Sequence, residues 1–182
     1  MRILCVGTNH KTAEVAVREK LAYSAEQRQV ALKDLRAAWP DAEFAIISTC
    51  NRMEIYLARP VHGHPRAQEL RDWVLAQRGV SGSPYAEALY MLSDAEAASH
   101  LFTVASGLDS LVPGEAQIVA QVKEAYTQAV EAGSVHVVLN ELFQAALHVA
   151  KHIRTETDIA MGKVSVASLA VDFVRQLFDT LK

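Results

Sequence analysis

The chain has 182 residues, about half of them hydrophobic and 21% charged, with a formal net charge of −3. This composition suits one domain with a sizeable core, or one domain with an appendage, and excludes a disordered chain. It also excludes a whole-chain positive field for nucleic acid, so a phosphate-bearing partner must be met by a local patch.

Residues 2–7 read as a first strand, ended by Gly7-Thr8-Asn9-His10. A short amphipathic segment follows from Glu14 to Leu21. Ser24 has Gln27 three residues on, a capping-box pair opening a helix that runs to about Trp39 and stops at Pro40. Two strands come next. Glu43 to Ile47 is nearly all apolar, as in a buried strand. Met53 to Ala58 alternates apolar and polar, as in a half-exposed one. A helix from about Arg66 to Gln77, a polar loop at Gly79–Pro84 and a fourth strand at Ala88–Leu92 complete a β, α, β, β, α, β order. That order predicts an α+β, ferredoxin-like antiparallel sheet with helices on one face.

From Ser93 the pattern turns helical. Ser93 with Glu96 predicts a capped helix to about Ala105, broken by Ser106-Gly107. Pro113 is expected to open the next helix at its first position, with Gly133 ending it after Glu131. A third helix spans about Val135 to Thr157, and a last one runs from Ser165 to Lys182 with no stop signal. An uncapped end predicts that this is a piece of a longer chain.

The densest chemistry lies between the second and third strands, at Ser48-Thr49-Cys50-Asn51-Arg52. Thiolate is the nucleophilic form of cysteine, and a nearby cation such as Arg52 favours it. A guanidinium could equally grip a carboxylate with its planar fork. A single cysteine in an apolar context is also commonly just a small buried side chain, and that reading stands beside the first. With only two cysteines, Cys5 and Cys50, no disulfide framework is possible and a cytoplasmic setting is the default. No apolar run approaches the roughly 18 residues of a membrane span.

Histidine is the side chain whose ordinary titration range spans neutral pH, so His100 could act as general acid or base, or simply pack at a helix surface. The glycine-punctuated run Gly107 to Gln117 leads into a helix whose Gln117, Gln121 and Glu124 could face one pocket or water. His148 and His152 share i, i+4 spacing but lack a third ligand, so no metal site is predicted. There is no Gly-x-Gly-x-x-Gly and no phosphate loop, so a dinucleotide would need residues elsewhere.

Four colinear segments resemble the glutamyl-tRNA reductase family. They are Gly7-Thr8-Asn9-His10-Lys11-Thr12-Ala13, Ser48 to Tyr56, His100 through Gln117-Ile118 to Lys123, and Lys151 to Ile159. The resemblance implies a catalytic glutamyl-tRNA-binding domain over residues 1–160, with its sheet part to about 92 and its helical part from about 93. Residues 161–182 would start a long spinal helix, with the NADPH and dimerisation domains beyond this chain. It implies that Cys50 attacks the glutamyl ester of glutamyl-tRNA. The resulting thioester would be reduced with NADPH to glutamate-1-semialdehyde, the entry to tetrapyrroles and haem. By the same resemblance His100 is the activity-important histidine, a candidate proton donor to the leaving ribose oxygen. Thr49, Asn51, Arg52, Ser110, Glu115, Ala116, Gln117 and Gln121 would hold the glutamyl group. Pro113 and Ala116 depart from residues common in relatives. The implied partners are glutamyl-tRNA, a second copy in a homodimer, and glutamate-1-semialdehyde aminomutase. A self-contained cysteine thioesterase or acyltransferase, and a non-catalytic ferredoxin-like binding module, fit the residues as alternatives.

Overall fold

The computed structural model describes residues 1–112, 114–157 and 159, apart from the side chain of Ala116. The predicted final helix and the break before it lie outside these residues, save Ile159. Strands β1 (Arg2–Asn9), β2 (Glu43–Ser48), β3 (Arg52–Arg59) and β4 (Tyr90–Ser93) form one sheet in the order β2-β3-β1-β4, with every pairing antiparallel. Helices α1 (Val15–Leu21), α2 (Ala25–Ala38), α3 (Ala67–Gln77) and α4 (Ser83–Ala88) connect the strands. Helices α5 (Ala95–Ala105), α6 (Ala116–Glu131) and α7 (Val137–Glu156) follow them. This is the ferredoxin-like α+β arrangement with a helical extension. The capping box at Ser24 and Gln27 is present as expected.

Helices cover both faces of the sheet, not one. Strand side chains alternate between faces, so register assigns each residue to a side. Leu4, Val6, Phe44, Ile46, Met53, Ile55 and Leu57 lie on the side of α2 and α3, where Trp39 packs tilted against Phe44 at 6.2 Å and edge-on to Trp73 at 6.5 Å. Cys5, Gly7, Arg52, Glu54 and Tyr56 lie on the other side, under α5 and α7. Tyr56 meets Phe143 of α7 edge-on at 5.7 Å, and the helical stripe Leu139, Phe143 and Ala146 is buried as its spacing predicted. β3 is therefore buried from Arg52 to Ala58 and is not half-exposed.

Four boundaries differ from expectation for local physical reasons. Helix α4 occupies the predicted polar loop, with Pro84 in its first turn, where a missing N–H costs nothing. β4 sits at Tyr90–Ser93, one to two residues later than predicted. Ser93 does not cap α5; Asp94 takes that position with φ 48°. Its carboxylate instead accepts from the Ile3 amide at 3.1 Å and pairs with Arg2 at 2.8 Å, extending the β1 edge. Helix α6 begins at Ala116, not at Pro113, because Gly114 at φ 83° donates to the Gly107 carbonyl and closes a turn first.

One strand carboxylate does a helix cap's work. Glu43, buried on β2, accepts the backbone N–H groups of His136, Val138 and Leu139 at 3.0, 3.0 and 2.8 Å. These are amides that the first turn of a helix leaves without partners, at the positive end of its dipole. Glu43→Ala strands them in the interior and should lower unfolding stability by about 3 kcal/mol. Urea denaturation checks this, and a loss below about 1 kcal/mol would mean that α7 is held by other means.

Candidate active site

The turn between β2 and β3 is built by Thr49. Its amide donates to the Arg52 carbonyl at 2.8 Å, and its hydroxyl accepts from the Asn51 and Arg52 amides at 3.1 and 3.2 Å. A side-chain oxygen that satisfies two turn amides fixes the bend without glycine. Cys50 sits at the tip of this bend and is exposed, whereas Cys5 is buried. The thiol at position 50 is therefore not a core side chain. Cys5 has its thiol pushed up, by burial first and then by the nearby Glu54 carboxylate, so it is no nucleophile.

A narrow cleft of about 30 Å³ opens beside Cys50. It is walled by Thr49, Cys50, Asn51 and Arg52 from the hairpin, and by Ser110, Glu115, Gln117, Ile118 and Gln121 from the loop and first turns of α6. Every residue expected to hold the acyl group is here except Ala116, whose side chain lies outside the described residues. Ile118 is the apolar member the sequence reading did not single out. Glu124 does not join them; it pairs with Arg28 at 2.6 Å.

Arg52 is not a free cation beside the thiol. It is 2% exposed. One terminal nitrogen donates to Glu54 at 2.6 Å; the other donates to the Asp109 carboxylate at 2.9 Å and the Asp109 carbonyl at 2.7 Å. Asp109 also accepts from Asn9 at 3.3 Å and pairs with Lys11. Burial would raise its carboxyl, but the bonds from Lys11 and Arg52 prevail and hold it below its ordinary value. Asp109 thus ties the loop carrying Ser110 to the end of β1 and to β3.

Glu54 is wholly buried and satisfied on both oxygens. Oε1 accepts from Arg52, from the Tyr90 hydroxyl at 2.6 Å and lies 2.9 Å from His100 Nε2; Oε2 accepts from the Tyr56 hydroxyl at 2.9 Å. Gly7 lies opposite Glu54 in the β1–β3 pair, and a Cβ there would stand 2.7 Å from the Glu54 side chain and from the Met53 carbonyl. The absent side chain makes room for the carboxylate.

His100 does not reach the cleft among the described residues. Its Nε2 faces Glu54 and the Tyr90 hydroxyl at 3.2 Å, so it touches Arg52 only through Glu54. The geometry places it behind the site, and the proton-donor task expected of it has no contact to rest on. Sequence reasoning missed Glu54, Asp109 and Tyr90. The available signal was the opposite charges Arg52 and Glu54 two apart on one strand, which share a face. His148 and His152 are both exposed on α7. Among the described residues no three potential ligands gather for a metal, and no helix is long and apolar enough to cross a membrane.

The fold and cleft together define an α+β domain that presents an exposed cysteine on the wall of a narrow, polar cleft. Residues 6–157 match the family model for the glutamyl-tRNAGlu reductase N-terminal domain, and the chain belongs to that family. Proteins named glutamyl-tRNA reductase from Colwellia psychrerythraea and Magnetococcus marinus are 43% and 45% identical over the whole chain. The chain spans 43% of the length of each. The solved structure of glutamyl-tRNA reductase from Methanopyrus kandleri superposes with a TM-score of 0.75 at 30% identity, covering 96% of this chain and 39% of that one.

Proposed function

We propose that this domain captures the glutamyl group of glutamyl-tRNA as a thioester on Cys50. The Cys50 thiol gives up its proton and the thiolate attacks the ester carbonyl; the C–S bond forms, the C–O bond to the terminal ribose breaks, and the ribose oxygen leaves as a hydroxyl carrying the proton the thiol released. The observation that carries this reading is an exposed thiol lining a polar cleft whose walls hold one guanidinium, one carboxylate and several neutral hydrogen-bonding side chains.

Arg52 is the one cation among the described lining residues, and its role is to meet the side-chain carboxylate of the glutamyl group. Both terminal nitrogens are committed inward, while Nε makes no hydrogen bond among the described residues and is the edge left for substrate. Glu115 is the lining carboxylate and suits the α-ammonium group. Thr49, Asn51, Ser110, Gln117 and Gln121 supply neutral hydrogen bonds. His100 is a positioning residue that acts through Glu54 on Arg52.

NADPH would supply the hydride that turns the thioester into glutamate-1-semialdehyde. The described residues do not fit it, since the sheet is wholly antiparallel and carries no parallel strand–glycine turn–helix unit. Reduction is therefore assigned to residues outside this chain, as are the dimer contacts. The setting is cytoplasmic tetrapyrrole synthesis, with glutamate-1-semialdehyde aminomutase as the enzyme that takes the product.

Mass spectrometry of the protein quenched with charged tRNA in the absence of NADPH tests the central step. A glutamyl adduct is expected on the peptide carrying Cys50 and not on that carrying Cys5. No adduct, with glutamate still released from the tRNA, would favour a hydrolase that never forms a thioester.

A further inference from the structure

The cleft beside Cys50 is narrow, so the RNA that carries the proposed acyl group must lie outside it, on the surface around the turn. A second, wider cleft of about 470 Å³ abuts the same turn, walled by residues 10–15 and Arg18. The two clefts share a seam, because the His10 amide donates to the Asn51 carbonyl at 3.0 Å. Three other surface clefts lie around Leu4 and Met91, Gln29 and Gln128, and Gln77 and Arg78, where no wall residue bonds to the turn.

The second cleft has the chemistry of an anion site. Lys11 and Arg18 stand against one carboxylate, Glu14. The Lys11 side chain is 61% exposed although its ammonium also touches Asp109. Arg18 is oriented by donating from Nη1 to the Ala13 carbonyl at 2.7 Å, and Nη2 makes no bond among the described residues. A whole-chain charge of −3 gives no general attraction for RNA, so a basic pocket bordering the reactive turn is the local patch such a substrate needs.

We infer that the cleft at residues 10–18 binds a backbone phosphate of the RNA acceptor end, through Arg18 and Lys11, while the acyl group sits in the neighbouring cleft. This rests on the proposed reading of Cys50. Phosphate is also borne by NADPH, so the test separates the two sources.

In the intact protein, uncharged tRNA binding is measured from 50 to 200 mM salt for wild type, Arg18→Gln and Arg18→Lys. Arg18→Gln should weaken binding about tenfold at low salt. The slope of log affinity against log salt should fall by about 0.7, and Arg18→Lys should restore most of both. The KM for NADPH should not move. Acylation of Cys50 by a phosphate-free glutamyl ester, such as the α-ethyl ester, should proceed equally in all three proteins, while acylation by charged tRNA slows only in Arg18→Gln. Equal salt slopes in wild type and Arg18→Gln, or a shift confined to NADPH, would overturn the assignment. If the ethyl ester acylates Cys50 but the RNA effects are missing, the phosphate site alone is lost. Acylation by neither ester in wild type removes the thioester reading and this assignment with it.

Discussion

Serine at position 50 is expected to abolish covalent capture while leaving the fold intact. The side chain is exposed at a turn whose hydrogen bonds come from Thr49 and the backbone, so Cys50→Ser removes no packing and no bond. Stability should change by less than about 0.5 kcal/mol. A hydroxyl with no base beside it is a far weaker nucleophile than a thiolate, and removing the nucleophile of an acyl-transfer site costs up to about 10⁶ in rate. Acylation from charged tRNA should fall at least about a thousandfold, measured as adduct formation in a single turnover. Retained acylation in the serine protein would mean that another group attacks. Cys5 is not a candidate, since it lies in the core beside Tyr56 with its thiol pushed up.

Glu54→Gln should be the most damaging single-atom change in the site. It removes the charge that neutralises buried Arg52 and puts an amide where Arg52, Tyr90 and Tyr56 donate. Breaking a buried ion pair on one side costs about 3–5 kcal/mol, a large share of a domain's total stability. The pH dependence gives an independent check. Burial alone would raise the Glu54 carboxyl, but the bond to His100 and the charge of Arg52 prevail and bring it down from 4.5 to about 2. A carboxyl whose folded pKa is depressed stabilises the fold above its unfolded pKa, and that contribution is lost as pH falls toward the folded value. The contribution is therefore full at pH 7, about 3 kcal/mol from the shift, and fades between about pH 4.5 and 2. Urea midpoints of wild type and Glu54→Gln should converge across that window. A penalty that is equal at pH 7 and pH 2 would show that charge is not the cause.

Much of this was legible in the residues. The βαββαβ order, the Ser24 capping box and the buried stripe of α7 follow from local periodicity and capping chemistry, which act over a few residues. The acyl cleft was legible through resemblance, and the hairpin bearing Cys50 through its two flanking strand patterns. What stayed hidden depended on contacts far apart in sequence. Glu54 looked solvent-facing because polar residues at alternate strand positions ordinarily are. Only the second helical layer, with His100 some 46 positions away, turns that face into an interior. The roles of Asp94 and Glu43 stayed hidden for the same reason, since each spends its carboxylate on backbone more than 90 residues distant.

The mixed character of β3 also governs assembly. Its hydrocarbon side, packed under α2 and α3, and its charged side differ by a single step along the strand, so only one alignment of β3 against β1 and β2 is tolerable. Sliding by one position would bury Arg52 and Glu54 among Leu4, Phe44 and Ile46, far from Asp109 and the tyrosines. The polar cluster thus acts as a proofreader of strand phase, and the Cys50 thiol two residues upstream is delivered to the surface in every molecule that passes.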